Sequence, residues 1–156
     1  MWKLFIALAF ISFGAETFAQ KTKPVKIKAI KKYKVPKLTA SLGGYKDTAY
    51  IAPRMADSLI GLRLKVTDAK NNVYTISSYN FLYSKIVATE NEQTGKVSNT
   101  TSIKSAMFQN TPLPEMWQQV VREKLRPGEH FFFFDIIARD AEDRVMYAPN
   151  LKLIIK

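Results

Sequence analysis

The chain after residue 61 is divided into short β-prone segments, and in the first of them, Leu62–Thr67, apolar and polar residues alternate. Alternation with a period of two is typical of strands that have one buried face. The β-prone segments are 62–67, 73–87, 100–108, 131–138, 144–148 and 151–155. Turn residues separate them, without the regular exchange of strands and long helices that a parallel sheet requires. The pattern predicts a mostly β fold, an antiparallel Ig-like β-sandwich with one or two short helices, over residues 39–156.

Helix and turn signals fall between these segments. Ala52–Ser58 reads as a single helical turn with proline at its first position, and 113–124 has one apolar stripe at helical spacing. Gly43-Gly44 indicates a tight turn or a bulge. Pro127-Gly128 at the centre of Arg126–Glu129 fits a type II turn, because glycine readily adopts the positive φ required there.

Four consecutive phenylalanines, Phe131–Phe134, stand out within one predicted strand. Successive side chains of a strand point to opposite sides, so both faces of this strand are aromatic. One face must belong to the core. The other face either lies under the helix at 113–124 or forms an exposed aromatic patch for a partner. The short Pro127-Gly128 turn favours the helix.

The N-terminus has the pattern of an export signal. Lys3 is followed by an apolar stretch of about ten residues, Leu4–Phe13, and then by the small-residue site Thr17-Phe18-Ala19. A membrane span needs roughly twenty apolar residues, so a cleavable signal peptide at 1–19 is favoured over an uncleaved anchor. The mature protein is expected to have no transmembrane span. It is expected to be periplasmic or secreted, and without cysteine it lacks a lipobox for lipid attachment.

Basic charge is concentrated just after this signal. The net charge is +11, and residues 21–38 hold eight lysines and no acidic residue, which leaves +3 for 39–156. We therefore treat 20–38 as a separate Lys-rich segment that contains an edge strand. Its lysines either protect the edge or form a docking surface for an acidic protein, anionic lipid or polysaccharide; nucleic acid is not expected in an exported protein. The candidate interaction residues are Lys26, Lys28, Lys31, Lys32 and Lys34.

Residues that could carry out catalysis are sparse. His130 is the only histidine and there is no cysteine, which argues against a zinc site. Asp135 lies six positions after Glu129, so the two would share a strand face about 20 Å apart, too far for an acid/base pair. Nucleophile elbows and phosphate-binding glycine loops are absent from the sequence. We therefore expect neither enzymatic activity nor a cofactor.

Several separated motifs resemble one known family. They are Val35-Pro36, Leu42-Gly43-Gly44, Gly61-Leu62, Leu125-Arg126-Pro127-Gly128-Glu129, Phe134-Asp135-Ile136-Ile137-Ala138 and the terminal Ile154-Ile155-Lys156. Together they are similar to the C-terminal domain of the GldM/PorM proteins of gliding motility and type IX secretion. The resemblance covers about residues 35–156 and is most specific at the C-terminal end.

This resemblance implies an Ig-like sandwich in the periplasm that binds envelope proteins, including components of the secretion or gliding apparatus. It supplies no catalytic residue. The chain departs from the family in three places: Asp140–Arg144 replaces a glycine-containing turn, Arg63–Val66 replaces an acidic aromatic run, and a cleavable signal replaces the family's membrane helix and periplasmic rod.

Two functional hypotheses follow. The first is a stand-alone, non-catalytic periplasmic protein-interaction module related to that domain. The alternative is a small carbohydrate- or peptidoglycan-binding β-sandwich, in which exposed aromatic residues stack on sugars. The aromatic residues expected to be exposed for this purpose are Tyr74, Tyr79, Tyr83 and Trp117. The sequence leaves the oligomeric state open.

Overall fold

Strands account for most of the protein in the computed structural model, which describes residues 33–123 and 125–156. Within these residues there are nine strands and two helices. The strands are β1 (Leu38–Leu42), β2 (Tyr45–Lys46), β3 (Thr48–Ile51), β4 (Lys65–Asp68), β5 (Val73–Glu90), β6 (Val97–Phe108), β7 (His130–Arg139), β8 (Val145–Ala148) and β9 (Leu151–Ile155). The helices are α1 (Pro53–Ile60) and α2 (Glu115–Arg122). The predicted signal peptide, 1–19, lies outside the described residues.

The long strand β5 organises the sheet, because its 18 residues pair with three other strands. Its first residues pair with β4, and the following ones pair with β6 on one edge and β7 on the other. The strand order is β2-β1-β4-β5-β7-β9-β3, with β6 attached to β5 and β8 to β7. Only β3 and β9 run parallel among the pairs in the described residues, so the sheet is mixed. The predicted mostly β, sandwich-like fold with two short helices is confirmed.

Both helices are short, and their ends follow from local sequence. Pro53 occupies the first turn of α1, as predicted. Helix α2 is shorter than the predicted 113–124, because Pro114 caps its start and Glu123 adopts extended backbone angles at its end. Neither helix of the described residues has the length and apolar content that a membrane crossing requires.

Aromatic side chains of β5 and β7 form the centre of the core. Alternate residues of each strand point inward, and in the central register pair Phe81 lies opposite Phe133 with ring centroids 5.1 Å apart. Such offset, tilted ring contacts add to the gain from burying apolar area. The buried rings are Tyr79, Phe81, Tyr83, Phe131 and Phe133.

Helix α2 packs on this same, inner side of the sheet. Trp117 meets the buried ring of Phe81 edge-on, with ring centroids 5.8 Å apart. The prediction that this helix covers the second aromatic face is therefore wrong, because the chain turns to the inner side after β6. Phe132 and Phe134 lie on the opposite side of β7 and are half-buried.

The two glycine-containing turns are confirmed. Gly43 and Gly44 form the two-residue turn between β1 and β2, and both have positive φ, at 57° and 93°. A side chain at Gly43 would also collide with Leu59 of α1. In the second turn Gly128 has a φ of 91°, and the Glu129 N–H donates to Arg126 O at 3.2 Å, as a type II turn requires.

An aspartate organises the turn between β7 and β8. The Asp140 carboxylate accepts hydrogen bonds from the backbone N–H groups of Glu142 at 2.9 Å and Arg144 at 3.0 Å. The Arg144 guanidinium also donates to it, through Nε at 2.7 Å. Asp68 closes the turn between β4 and β5 in a similar way, by accepting from the N–H groups of Lys70 and Asn72. Both turns are therefore stabilised by an aspartate side chain that accepts backbone N–H groups.

We expect the Asp140→Asn variant to lose less stability in acid than the native protein. Burial by itself raises the pKa of Asp140, but the hydrogen bonds and the charge of Arg144 outweigh it and hold the pKa below the ordinary 3.8. A carboxyl whose pKa is lowered by folding stabilises the fold above its unfolded pKa, and this contribution disappears as the pH falls through the folded pKa. Urea midpoints at pH 7, 5 and 2.5 measure the effect. Equal losses between pH 5 and 2.5 in both proteins would contradict it.

Candidate protein-interaction face

The side of the sheet that points away from the aromatic core, which we call the outer face, is formed by β6, β5, β7, β9 and β3 side by side. Paired residues of neighbouring strands point to the same side, so the register gives each row of the face. One row contains Ile103, Ser84, His130, Ile154 and Tyr50, the next Ser105, Leu82, Phe132, Lys152 and Thr48, and a third Met107, Asn80 and Phe134. More than half of these side chains are apolar or aromatic.

Two stacked phenylalanines lie at the centre of the outer face. The rings of Phe132 and Phe134 are 5.1 Å apart at their centroids and nearly parallel, with an interplanar angle of 13°. Leu82 lies opposite Phe132 on β5, and all three side chains are half-buried. This arrangement gives an apolar centre that is still partly accessible from solvent.

Exposed apolar side chains surround that centre on both sides. Tyr50 on β3 is 65% exposed, and Ile103 and Met107 on β6 are 62% and 64% exposed. Burying large apolar groups on a partner yields roughly 25 cal/mol per Å² of area removed from water. A group of accessible apolar side chains on one face of a folded protein is typical of an interaction site.

Positive charge on the outer face comes from Lys152, between Phe132 and Thr48 in the second row. The pKa of the neighbouring His130 lies below its ordinary value, first because burial disfavours the imidazolium and second because Lys152 repels it. His130 is therefore neutral at pH 7 and acts as a polar aromatic residue of the face. Among the described residues, no cluster of three or more histidine, cysteine and acidic side chains is placed to hold a metal ion.

The candidate lysines do not come together in the described part of the chain. Lys26, Lys28, Lys31 and Lys32 lie outside the described residues. Lys34 is exposed and lines a shallow groove beside the turn between β4 and β5. Residues 33–37 belong to no strand, so the part of the predicted edge strand that the structure describes does not form a strand. Pro36 lies in this part and has no N–H group to donate to a neighbouring strand.

The four aromatic residues predicted to be exposed are not. Tyr79 and Tyr83 are 1% and 0% exposed, because both point to the inner side of β5. Burial raises the pKa of Tyr79 to about 12, and its hydroxyl donates to Asn110 O at 3.0 Å. Tyr74 and Trp117 are half-buried against the core. The carbohydrate-binding alternative therefore loses the row of exposed aromatic side chains on which it was based.

Tyr50 and Tyr147 are the strongly exposed aromatic residues that the sequence interpretation missed. Tyr147 is 76% exposed and lies on β8 between the buried Met146 and Ala148. Strict alternation within this short strand was the available signal. Tyr50 offered a weaker one, because β3 has only four residues and follows directly after another short strand.

A buried carboxyl group holds the loop between α2 and β7 against the sheet. Glu129 is 0% exposed and accepts three hydrogen bonds, from Tyr83 Oη at 2.7 Å, Ile86 N at 3.0 Å and Arg126 N at 3.2 Å. Burial, followed by the contact with Glu129, raises the pKa of Tyr83, which keeps its hydroxyl protonated as a donor. Sequence spacing placed Glu129 and Asp135 on one strand face. They are not on one face, because Glu129 precedes β7 and a bulge interrupts the strand at Asp135.

The fold and this face define a class of protein: a mostly β, sandwich-like domain with an apolar, aromatic outer sheet face. Comparison with known proteins adds no relative, since no family model and no curated protein matches the chain.

Proposed function

We propose that this protein is a non-catalytic protein-interaction module of the bacterial cell envelope, periplasmic or secreted, which binds an envelope protein through its outer face. The observation that carries the proposal is the apolar outer face itself, with the Phe132–Phe134 stack at its centre and exposed side chains around it. The export pattern at 1–19 supports the location, since it directs a chain out of the cytoplasm.

The composition of the face matches what protein partners recognise. Interface centres are enriched in aromatic residues and methionine and are poor in charge, whereas polar groups lie at the rim. Lys152 is the charged residue in the three rows that define the outer face, and Asp135 lies at its edge, where it accepts a hydrogen bond from Asn80 at 3.1 Å. A partner with an apolar, aromatic contact surface and an acidic group opposite Lys152 would be complementary.

We further propose a relationship to the C-terminal domain of the GldM/PorM proteins, which makes secretion or gliding components the first partners to examine. Two of the motifs on which the resemblance rests form turns of this fold. Leu42-Gly43-Gly44 closes the first hairpin, and the turn at 125–129 supports the end of β9 through the hydrogen bond from Gly128 N to Ile155 O at 2.9 Å. The resemblance therefore bears on the framework, and the outer face determines the partner.

The Tyr50→Glu variant should lose its envelope partner. Tyr50 lies at the β3 end of the outer face, and a carboxylate there would lose its hydration when an apolar partner surface covers it. After crosslinking in intact cells and affinity purification, we expect at least a tenfold lower yield of the specific partner than with the native protein. Mass spectrometry identifies that partner.

Met116→Glu is the matched control, because Met116 is 68% exposed but lies on α2, on the other side of the sheet. It should recover the same partner as the native protein. Equal recovery with Tyr50→Glu and Met116→Glu, or recovery of abundant envelope proteins alone, would contradict the proposal.

A further inference from the structure

The outer edge of β6 is a long row of backbone hydrogen-bonding groups. Strand β6 has 12 residues, and all of them pair with β5 in one continuous register from Val97↔Glu90 to Phe108↔Tyr79. Within residues 33–123 and 125–156, no strand pairs with the other edge of β6. The alternate N–H and C=O groups on that edge are therefore available to a further strand.

The sequence of β6 lacks the features that normally protect such an edge. Lys104 is its one charged residue, it contains no proline, and its pairing with β5 shows no bulge. Natural edge strands are usually kept from pairing by several charges, proline, a bulge or very short length. Three of its apolar side chains are also more than half exposed: Val97, Ile103 and Met107. The edge has the properties of a pairing surface.

We infer that the β6 edge pairs with the β6 edge of a second copy of this chain, antiparallel, about a two-fold axis at Ser102. An antiparallel strand pair is self-complementary under a two-fold rotation, which is the commonest symmetry of protein dimers. Side chains of opposite residues in an antiparallel pair point to the same side of the sheet. A two-fold axis perpendicular to the sheet is therefore possible only where one residue lies opposite its own copy, and both outer faces are then on the same side. The axis at Ser102 pairs residues 97–107 of both copies, nearly the whole strand.

This register also places apolar and β-branched side chains of the two copies opposite each other. Met107 lies opposite the partner subunit's Val97, twice by symmetry, and both side chains are exposed in the single chain. Ile103 lies opposite the partner subunit's Thr101, a β-branched pair that is favourable across strands. The two Lys104 residues are four positions apart along the paired strands, about 14 Å, so their repulsion is weak.

A second copy fits this edge better than an acidic or basic peptide, because β6 offers one charge in 12 residues for such a peptide to recognise. Two copies also repel each other little at this edge, because β6 carries one charge and residues 39–156 together carry only +3. Pairing would also join two outer faces into one continuous surface. The dimer does not depend on the proposed envelope partner.

A cysteine at the axis tests the dimer directly, because the chain has no cysteine of its own. In the Ser102→Cys variant the two thiols are opposite each other, at a Cα separation of about 4.5–5.5 Å, which is within the range for a disulfide. Ser98→Cys is the matched control on the same strand, since the two copies of residue 98 are eight positions apart, about 27 Å. Both variants are expressed as the full chain, exported and purified under reducing conditions, then exposed to mild oxidant.

We expect Ser102→Cys to form a disulfide-linked dimer at least ten times faster than Ser98→Cys at micromolar protein. Sedimentation equilibrium of the native chain should show a mass that rises towards twice that of one chain with concentration, and Met107→Lys should weaken this association at least tenfold. Equal crosslinking of the two cysteine variants would overturn the proposed register. A native chain that stays monomeric at 200 μM would overturn the dimer. That outcome would hold whether the Lys-rich segment or another protein occupies the β6 edge instead.

Discussion

Replacing Glu129 with alanine should lower the free energy of unfolding by about 3 kcal/mol, because three hydrogen-bond donors would lose their acceptor in a buried position. The Glu129 carboxyl group is fully buried and receives the Tyr83 hydroxyl and the N–H groups of Ile86 and Arg126. Each unsatisfied buried donor costs about 1–3 kcal/mol, and water can reach the two backbone groups in part once the side chain is shortened. Urea denaturation followed by circular dichroism gives the difference.

Two further variants separate the hydrogen bonds from the loss of volume. Tyr83→Phe removes one donor and keeps the carboxyl group, and we expect a cost of about 1 kcal/mol. Glu129→Gln keeps the shape; its carbonyl oxygen can accept from Ile86 N, while its amide can donate to a rotated Tyr83 hydroxyl, so its cost should fall between the other two. A Glu129→Ala variant no less stable than Tyr83→Phe would show that the carboxyl group does not hold the loop.

The position of Glu129 could not be read from the sequence. It follows Pro127-Gly128 in a turn, where an acidic residue is normally solvated. The turn, however, directs the Glu129 side chain to the edge of β5 just beyond the last pair with β7, His130 opposite Ser84, where it accepts from Ile86 N. This carboxyl group is therefore buried because β5 continues beyond the point where its pairing with β7 ends. No local sequence pattern reveals where that pairing ends.

Local patterns did predict the parts of the fold that depend on neighbours in sequence. Runs of β-prone, aromatic-rich residues located β5 and β7, the final strand was placed at 151–155 as observed, and the two glycine turns form with the expected positive φ. Pairing is different, because it depends on which distant segments meet. The parallel pair of β3 and β9 joins residues about 100 positions apart and has no local signature.

The candidate site was predictable in part for the same reason. The Phe131–Phe134 run correctly indicated two aromatic faces, and an exposed aromatic patch was one of the two alternatives for the second face. Tyr79 and Tyr83 were assigned to solvent although they alternate in phase with the buried Phe81. Aromatic residues bury large areas and lie in the core by default, and the alternation should have been given more weight than the hydroxyl groups.

The set of alternate residues that faces the core changes from odd to even positions within β7. A prediction from strict alternation along this strand must therefore fail in one half of it. Phe131 and Phe133 are buried at odd positions, but Ile136 and Ala138 are buried at even ones. Between Phe134 and Ile137 the strand has two residues opposite the single residue Tyr79, which is a β-bulge. Asp135 is the first residue of the bulge and has a φ of 49°, in the left-handed region.

Replacing Asp135 with valine should therefore destabilise the protein by about 2 kcal/mol, because a β-branched side chain is strongly disfavoured at positive φ. The change also removes the hydrogen bond that Asn80 Nδ2 donates to the carboxylate at 3.1 Å, but this bond is exposed and contributes little. Thermal and urea unfolding measure the loss. Valine is otherwise favourable in strands, so propensity alone predicts the opposite sign.

Asparagine and glycine at the same position distinguish backbone strain from a lost contact. Asp135→Asn keeps a residue that tolerates the left-handed region and can still accept from Asn80, so its stability should equal that of the native protein. Asp135→Gly loses the contact but removes the side chain that makes this conformation costly, so it should lie within about 1 kcal/mol of the native protein. If glycine were as destabilising as valine, the contact with Asn80 would maintain the bulge; if valine were harmless, the bulge would not be needed. The order expected from backbone geometry is valine far below glycine, asparagine and aspartate, because the bulge at Asp135 sets which side of β7 faces the core and which forms the outer face.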